Sequence, residues 1–129
     1  MPPITLYAQE PAFTDLDSAF LAALNISVLT SDIESHIASS SFVFAPFVDW
    51  NLLIPVFLKD KDPELYIGNE ILDNYSVFVN TPEKANLVED CNERGKRFAE
   101  RRERRRMPQF EKHGSALEGL MIYWVEKEQ

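Results

Sequence analysis

The segment FVFAP at residues 42–46, followed by LYIGNE at residues 65–70, gives the clearest indication of how this chain folds. Each is a short apolar run that ends in turn-forming residues, and each run is too short to form a helix. The runs ITLY at residues 4–7 and ISVL at residues 26–29 repeat the pattern nearer the N-terminus. A helix-like stretch follows each run, and repeated strand–helix units predict a mostly parallel sheet.

The stretch TDLDSAFLAAL at residues 14–24 predicts the first helix. Thr14 is a good N-cap residue, and acidic residues follow it in the first turn. Asn25 can adopt the left-handed conformation that ends a helix. Apolar residues recur at helical spacing and predict one apolar face, formed by Leu16, Phe20, Ala23 and Leu24.

The later turns carry their own signals. Pro46 ends the third predicted strand because proline has no amide to donate. Asp49 can cap a helix over WNLLIPVFL, which Pro55 should end or kink. Gly68 allows a turn that a side chain would obstruct, and Asn69 can cap a short following helix over EILDNY.

Residues 82–106 predict one long charged helix. Acidic residues precede arginines by four positions three times, which is the favourable orientation for helical ion pairs. The aromatic and β-branched run from Leu120 to Val125 predicts a final strand.

Composition limits the class of protein. The chain has 129 residues, of which 45% are hydrophobic and 26% charged, as expected for one soluble globular domain over residues 1–129. Cys91 is the single cysteine, so an internal disulfide or a cysteine-based zinc site is excluded, and a buried thiol is predicted. No signal peptide or membrane-spanning stretch is recognisable, which predicts a cytoplasmic protein with access to the nucleus.

Positive charge is concentrated in one segment of an acidic chain whose net charge is -8. Residues 93–106 hold eight Lys or Arg and three Glu. A solvated helix face, partly neutralised by its own glutamates, is favoured over an RNA contact because no aromatic residues alternate with the arginines. The candidate basic patch consists of Arg94, Arg97, Arg101, Arg102, Arg104, Arg105 and Arg106.

The predicted strand tips mark a candidate ligand cleft, because parallel strands converge at their carboxyl ends. No catalytic residue, metal site or cofactor is predicted, since the sequence has no phosphate-binding loop, dinucleotide cradle or nucleophile elbow. Ordinary turn and cap roles are the alternative for the tip residues. The candidates are Gln9, Glu10, Pro46, Asn69 and Glu70, joined by His113 if the last strand is antiparallel.

The order of these motifs resembles the SRR1-like domain family. The resemblance rests on YAQEPAFTDLDSAFLAALNISVL, SFVFAPFVDWNLL and LYIGNEI, and on a closing aromatic strand after FEKHGSALEG. It extends from about Ile4 to Trp124, and the stretch EKHGSALEGLMIYW is similar to fungal members in particular.

This resemblance implies a Rossmann-like fold and a regulatory role. Family members are associated with light signalling and circadian timing in plants, and with cytoskeletal or haem-related phenotypes in yeast, without established catalytic residues. The family usually has a further strand–helix unit with a glycine-containing turn before the position of Ile4. Without it, the first and third strands should pair directly, giving a three-layer α/β sandwich of order 2-1-3-4 with an antiparallel strand at one edge.

These observations favour a non-enzymatic regulatory or interaction protein that acts through a protein partner. The alternative is a small-molecule or nucleotide-binding Rossmann-like protein, such as a degenerate transferase, that uses the strand tips. RNA contact through the arginine-rich helix is disfavoured, and no membrane partner is expected.

Overall fold

The structure is a computed structural model that describes residues 3–109, 111–112 and 117–126. The chain divides into two compact units, with the boundary between His36 and Ile37. The first unit contains a parallel strand pair and one helix. The second contains a four-stranded mixed sheet and the longest helix.

The first unit consists of β1 (Leu6–Ala8), α1 (Asp15–Ala23), β2 (Ile26–Val28) and a 3₁₀ turn (Ile33–His36). β1 and β2 are parallel, and each has three residues. The elements therefore form one β–α–β unit.

The ends of α1 confirm the predicted signals. The Thr14 hydroxyl accepts a hydrogen bond from the Asp17 amide at 3.1 Å, and the Asp17 carboxylate accepts one from the Thr14 amide at 2.9 Å. This capping box satisfies donors that the first turn would otherwise leave free. Asn25 has φ of 62°, the left-handed conformation expected after a helix.

The second unit is built on one mixed sheet in the order β3-β4-β6-β5. β3 is parallel to β4, whereas β6 is antiparallel to both β4 and β5. A π-helical segment and a second 3₁₀ turn lie in the connections. The elements are β3 (Phe42–Ala45), α2 (Trp50–Leu52), the π segment (Leu53–Leu58), β4 (Leu65–Asn69), the 3₁₀ turn (Ser76–Phe78), α3 (Pro82–Glu100), β5 (Glu103–Arg106) and β6 (Leu120–Trp124).

The predicted mostly parallel Rossmann-like sandwich of order 2-1-3-4 is wrong. β1 pairs with β2 and β3 with β4, as expected, but β1 is not hydrogen-bonded to β3. β6 lies between β4 and β5 and not at an edge, because β5 takes the outer position. The helix predicted over residues 82–106 ends at Glu100, so Glu103–Arg106 is free to form that strand.

One face of the four-stranded sheet forms the main core. Val43, Tyr66 and Tyr123 point to this face, and both tyrosines are fully buried. They pack against Leu53 from the π segment and Phe98 from α3. The core therefore fixes β4 and β6 relative to α3.

Pro55 explains the π segment. Proline has no amide hydrogen and disrupts the usual helical ladder, which predicts a break or kink at this position. The Lys59 amide instead donates to the Ile54 carbonyl at 2.8 Å, a bond across five residues. Leu53 and Ile54 are both buried by this arrangement.

Cys91 is fully buried beside Ile54 and Tyr75 in a second apolar cluster, as the sequence predicted. Burial raises the pKa of the Cys91 thiol, so the neutral form is favoured.

Candidate functional site

Asn69 is the best-defined of the predicted tip residues. Its side-chain oxygen accepts a hydrogen bond from the Phe47 amide at 3.0 Å, and its side-chain nitrogen donates to the Val48 carbonyl at 3.0 Å. Phe47 has φ of 61°, a left-handed conformation that is unfavourable for a bulky residue. The bonds from Asn69 help to hold the turn in this conformation. Asn69 therefore fixes the turn after β3 and does not cap a following helix.

We expect Asn69→Ala to lower the free energy of unfolding by about 1–2 kcal/mol, because two bonds to backbone groups are lost. Asn86→Ala is the matched control, since Asn86 is exposed on α3 and alanine is the better helix former there. Urea denaturation of both variants tests this. Equal stabilities for the two variants would contradict the role assigned to Asn69.

The other tip residues lie in separate surroundings. In the first unit, the Gln9 side-chain oxygen accepts from the Ile33 amide at 3.1 Å, and the Glu10 carboxylate accepts from the Ala12 amide at 3.1 Å. Pro46 is half-buried and Glu70 exposed in the second unit. The predicted His113 lies outside the described residues.

Three buried tyrosine hydroxyls hold the segment that follows β4. Tyr66 donates to the Asn69 carbonyl at 2.9 Å, Tyr123 accepts from the Ile71 amide at 2.9 Å, and Tyr75 accepts from the Leu72 amide at 2.8 Å. These bonds satisfy backbone groups that a helix would otherwise satisfy. The short helix predicted over EILDNY is consequently absent from the structure.

Burial raises the pKa of Tyr75 to about 12, against about 10 for an exposed phenol. Burial also raises the pKa values of Tyr66 and Tyr123. The folded state therefore binds these protons more tightly, so the stabilisation is complete below pH 10 and, for Tyr75, is lost as the pH rises from 10 to 12.

We expect the chain to unfold in that pH range. Phenolate absorbance of a Tyr7→Phe variant can monitor this. This substitution removes the tyrosine of β1, so the absorbance reports Tyr66, Tyr75 and Tyr123 alone. Phenolate absorbance should appear together with the loss of near-ultraviolet circular dichroism. Ionisation of these tyrosines in a chain that stays folded would contradict the expectation.

A cleft of about 320 Å³ lies between α3 and the turn after the π segment. Its apolar surface includes Ile54, Leu58 and Phe98, and its charged surface includes Arg97 and Arg101. The volume falls at the lower end of the range for small-molecule sites.

Most charges around this cleft are already paired. Arg94 bonds Asp90 at 3.1 Å and Asp60 at 3.2 Å, and Arg97 bonds Glu93 at 2.6 Å. Arg97 follows Glu93 by four residues, as the sequence predicted. The pair with Asp60 ties α3 to the turn after the π segment, whereas the pairs with Asp90 and Glu93 lie within α3.

Arg102 differs from the other arginines of the basic patch in a way that the sequence does not reveal. Its side chain is fully buried, bonds Asp62 at 2.7 Å and the Pro63 carbonyl at 2.7 Å, and lies 3.7 Å from the centre of the Phe98 ring. It is one of five arginines in residues 101–106, and no local pattern marks it. Its burial follows from the end of α3, which turns it towards the Asp62–Pro63 turn.

The rest of the basic patch is exposed, apart from Arg94, which is half-buried. Arg104, Arg105 and Arg106 form most of β5, an outer strand whose four residues are all exposed. Charged side chains on an outer strand prevent pairing with another chain. These arginines therefore have a structural explanation that does not require a nucleic acid.

The apolar face of α1 is not buried. Leu16 is 79% exposed, Phe20 64% and Leu24 53%, and these residues lie four apart on one side of the helix. The sequence correctly predicted this apolar face, but the structure leaves it open to solvent. We call Leu16, Phe20 and Leu24 the α1 ridge.

The fold and these surfaces define a small α/β protein with a mixed sheet, a structural tyrosine cluster and an exposed apolar helix. No group of three His, Cys, Asp or Glu side chains in its described portion could hold a metal ion. Nor does any helix in that portion have the length and apolar character needed to cross a membrane.

A family model for the SRR1 domain matches residues 1–124. The chain belongs to the SRR1 domain family, which confirms the resemblance seen in the sequence. Comparison with curated proteins and with solved structures finds no match. Membership of the fungal branch and loss of an upstream strand–helix unit stay predictions.

Proposed function

We propose that this SRR1-domain chain is a non-enzymatic regulatory protein that binds a partner protein through the α1 ridge. The main evidence for this proposal is that three large apolar side chains at helical spacing are each more than half exposed. Isolated exposed apolar residues are ordinary, but a continuous apolar stripe on a helix is typical of a protein-binding surface.

The charge of the first unit indicates the chemistry of the partner. Residues 3–36 contain no Lys or Arg, and their acidic residues are Glu10, Asp15, Asp17, Asp32 and Glu34. Asp15 and Asp17 lie in the first turn of α1, beside Leu16. A complementary partner has an apolar groove with basic residues at its rim, because opposite charges steer association and fix orientation.

Affinity capture with quantitative mass spectrometry tests the proposal in cells that express the protein. Phe20→Lys places a charge in the middle of the α1 ridge and should remove the partner without lowering the thermal midpoint. Val77→Lys is the matched control, since Val77 is 83% exposed in the second unit. A partner set that is unchanged by Phe20→Lys would overturn the role of the ridge.

A small-molecule function is the second candidate, and the cleft beside α3 is the observation that favours it. Arg97 and Arg101 are 70% and 67% exposed at their side chains, so an anionic ligand could reach both. A ligand at 100 times its dissociation constant would stabilise the chain by about 2.7 kcal/mol. A thermal-shift screen with nucleotides and S-adenosylmethionine tests this, and a response that survives Arg97→Ala/Arg101→Ala would exclude the cleft.

RNA binding through the basic patch stays disfavoured. Affinity that falls steeply with salt and disappears when Arg104, Arg105 and Arg106 are neutralised would support it. We expect no such affinity at physiological ionic strength, because the net charge of -8 opposes nonspecific binding to nucleic acid, and Arg94, Arg97 and Arg101 are paired with acidic residues. Location in the cytoplasm and nucleus is likewise part of this proposal, and imaging of a tagged chain tests it.

A further inference from the structure

The two outer strands of the four-stranded sheet differ sharply in chemistry. β5 exposes one glutamate and three arginines, a composition that discourages pairing with another strand. β3, at the other edge, has no charged residue, and no Asp, Glu, Lys or Arg occurs between Ile37 and Val48. Phe42 and Phe44 of β3 are 58% and 51% exposed. Only the β5 edge is therefore protected by charge.

The backbone of β3 also has outward-facing groups. The Ser41 carbonyl accepts from the Leu65 amide at 3.4 Å, so Ser41 faces β4. Alternate residues face the same neighbour in a parallel ladder, which turns the backbone groups of Phe42 and Phe44 away from β4. No strand in the described residues is hydrogen-bonded to β3 on that side.

We propose that β3 is a self-association surface, at which a second copy of this chain adds its own β3 in antiparallel orientation. Centring the two-fold axis on Val43 places Phe42 opposite the partner's Phe44. Phe42 and Phe44 are the residues whose amides and carbonyls face outward, so each pair exchanges two hydrogen bonds. The result is one continuous eight-stranded sheet with a self-complementary interface.

Charge and side-chain chemistry favour a second copy as the occupant. The net charge of -8 opposes association of two chains in general, but the absence of charge from Ile37 to Val48 avoids repulsion across this edge. Pairing also brings the exposed aromatic rings of the two strands together on one face, an arrangement that stabilises antiparallel sheets.

The exposed area predicts a weak dimer. Phe42, Phe44 and the neighbouring Phe47, which is 61% exposed, offer roughly 500–850 Å² of aromatic surface over two copies, given 150–250 Å² for a fully exposed ring. Together with backbone atoms this approaches the ~1,000 Å² minimum for a specific interface. We therefore expect a dimer that forms at micromolar concentration.

Sedimentation of the full chain from about 10 to about 500 µM tests the proposal, and a monomer–dimer equilibrium in the micromolar range is expected. Phe44→Lys should weaken dimerisation at least tenfold. Phe20→Lys and Val77→Lys should leave it unchanged, which separates this surface from the α1 ridge. A chain that is monomeric throughout, or equal dimerisation of wild type and Phe44→Lys, would overturn the proposal.

Hydrogen exchange in the wild-type chain provides a test that does not depend on the folding of a variant. The amides of Phe42 and Phe44 should gain protection as concentration rises, whereas the Val43 amide, which faces β4, should not change. Dimerisation without protection at Phe42 and Phe44 would show that another surface is used. Protection at these two amides only after addition of a different polypeptide would identify a foreign strand as the occupant and would also overturn the proposal.

Discussion

Gly68→Ala is expected to lower the free energy of unfolding by about 3 kcal/mol, the upper end for overpacking a well-packed core. A Cβ at position 68 would collide with the Tyr66 hydroxyl and would lie 2.6 Å from the Ala45 carbonyl oxygen. Neither neighbour can yield, because Tyr66 is fully buried and Ala45 belongs to the adjacent strand. With about 4 °C per kcal/mol, the thermal midpoint should fall by about 12 °C.

The other glycines supply graded controls. Gly119 has φ of +85° with open space around its Cβ position, so Gly119→Ala should cost about 1–2 kcal/mol through backbone strain alone. Gly95 lies in α3, where Ile71 Cγ2 would be 3.2 Å from the new methyl group. The gain in helix propensity of about 1 kcal/mol should offset that contact. A cost for Gly119→Ala or Gly95→Ala equal to that of Gly68→Ala would refute the steric explanation.

Gly68 also shows why the fourth strand was only partly predictable. The sequence placed Gly68 in a turn, whereas it lies within β4, which continues to Asn69. What requires glycine is the Tyr66 hydroxyl, which occupies the space below it in order to reach the Asn69 carbonyl. A contact between a side chain and the backbone two or three residues away is not visible in apolar patterning.

Elements that depend on local chemistry were predicted well. Thr14 caps α1, Asn25 follows it in the left-handed conformation, and β3 has the predicted bounds of Phe42–Ala45. Each of these depends on residues within one turn of the chain. Cap and turn preferences are intrinsic to such short segments, so the sequence alone sufficed.

Two features that depend on distant pairing were predicted wrongly, namely the strand at Glu103–Arg106 and the order of the sheet. Helical ion pairs favoured a helix through Arg106, yet Glu103–Arg106 pairs with Leu120–Trp124 as a strand. Ladder hydrogen bonds formed after the chain reverses outweigh propensity differences of a few tenths of a kcal/mol per residue. The same reason explains the wrong sheet order, since no local feature encodes whether β1 pairs with β3.

Asn69 was predictable as a strand-end residue, but its role was not. Asn69 was identified as a strand-tip residue, but its amide bonds the backbone of Phe47 and Val48. As ligand-binding residues, the tips stay a prediction. The α1 ridge was visible as an apolar stripe, although amphipathic spacing cannot show whether a stripe meets the protein's own core or a partner.

A second large effect is expected at the ion pair between Asp62 and Arg102. Arg102 is fully buried at its side chain, whereas that of Asp62 is 42% exposed. Asp62→Asn keeps the shape and suits the left-handed conformation at φ of 48°, but it leaves the guanidinium without its anion. We expect a loss of about 2–3 kcal/mol, slightly below the value for a pair buried at both ends, because water reaches position 62.

The opposite substitution should cost less. Arg102→Met removes the buried charge, keeps an apolar side chain against Phe98 and leaves Asp62 partly solvated. It also leaves the buried Pro63 carbonyl without its donor, so a loss of about 1–2 kcal/mol is expected. The double variant should match Arg102→Met, since Asp62→Asn is harmful only while the cation is present. Urea denaturation of the four proteins measures this coupling. Additive effects would show that Asp62 acts on the turn itself, through its backbone or through Arg101 at 3.2 Å, and not by neutralising Arg102.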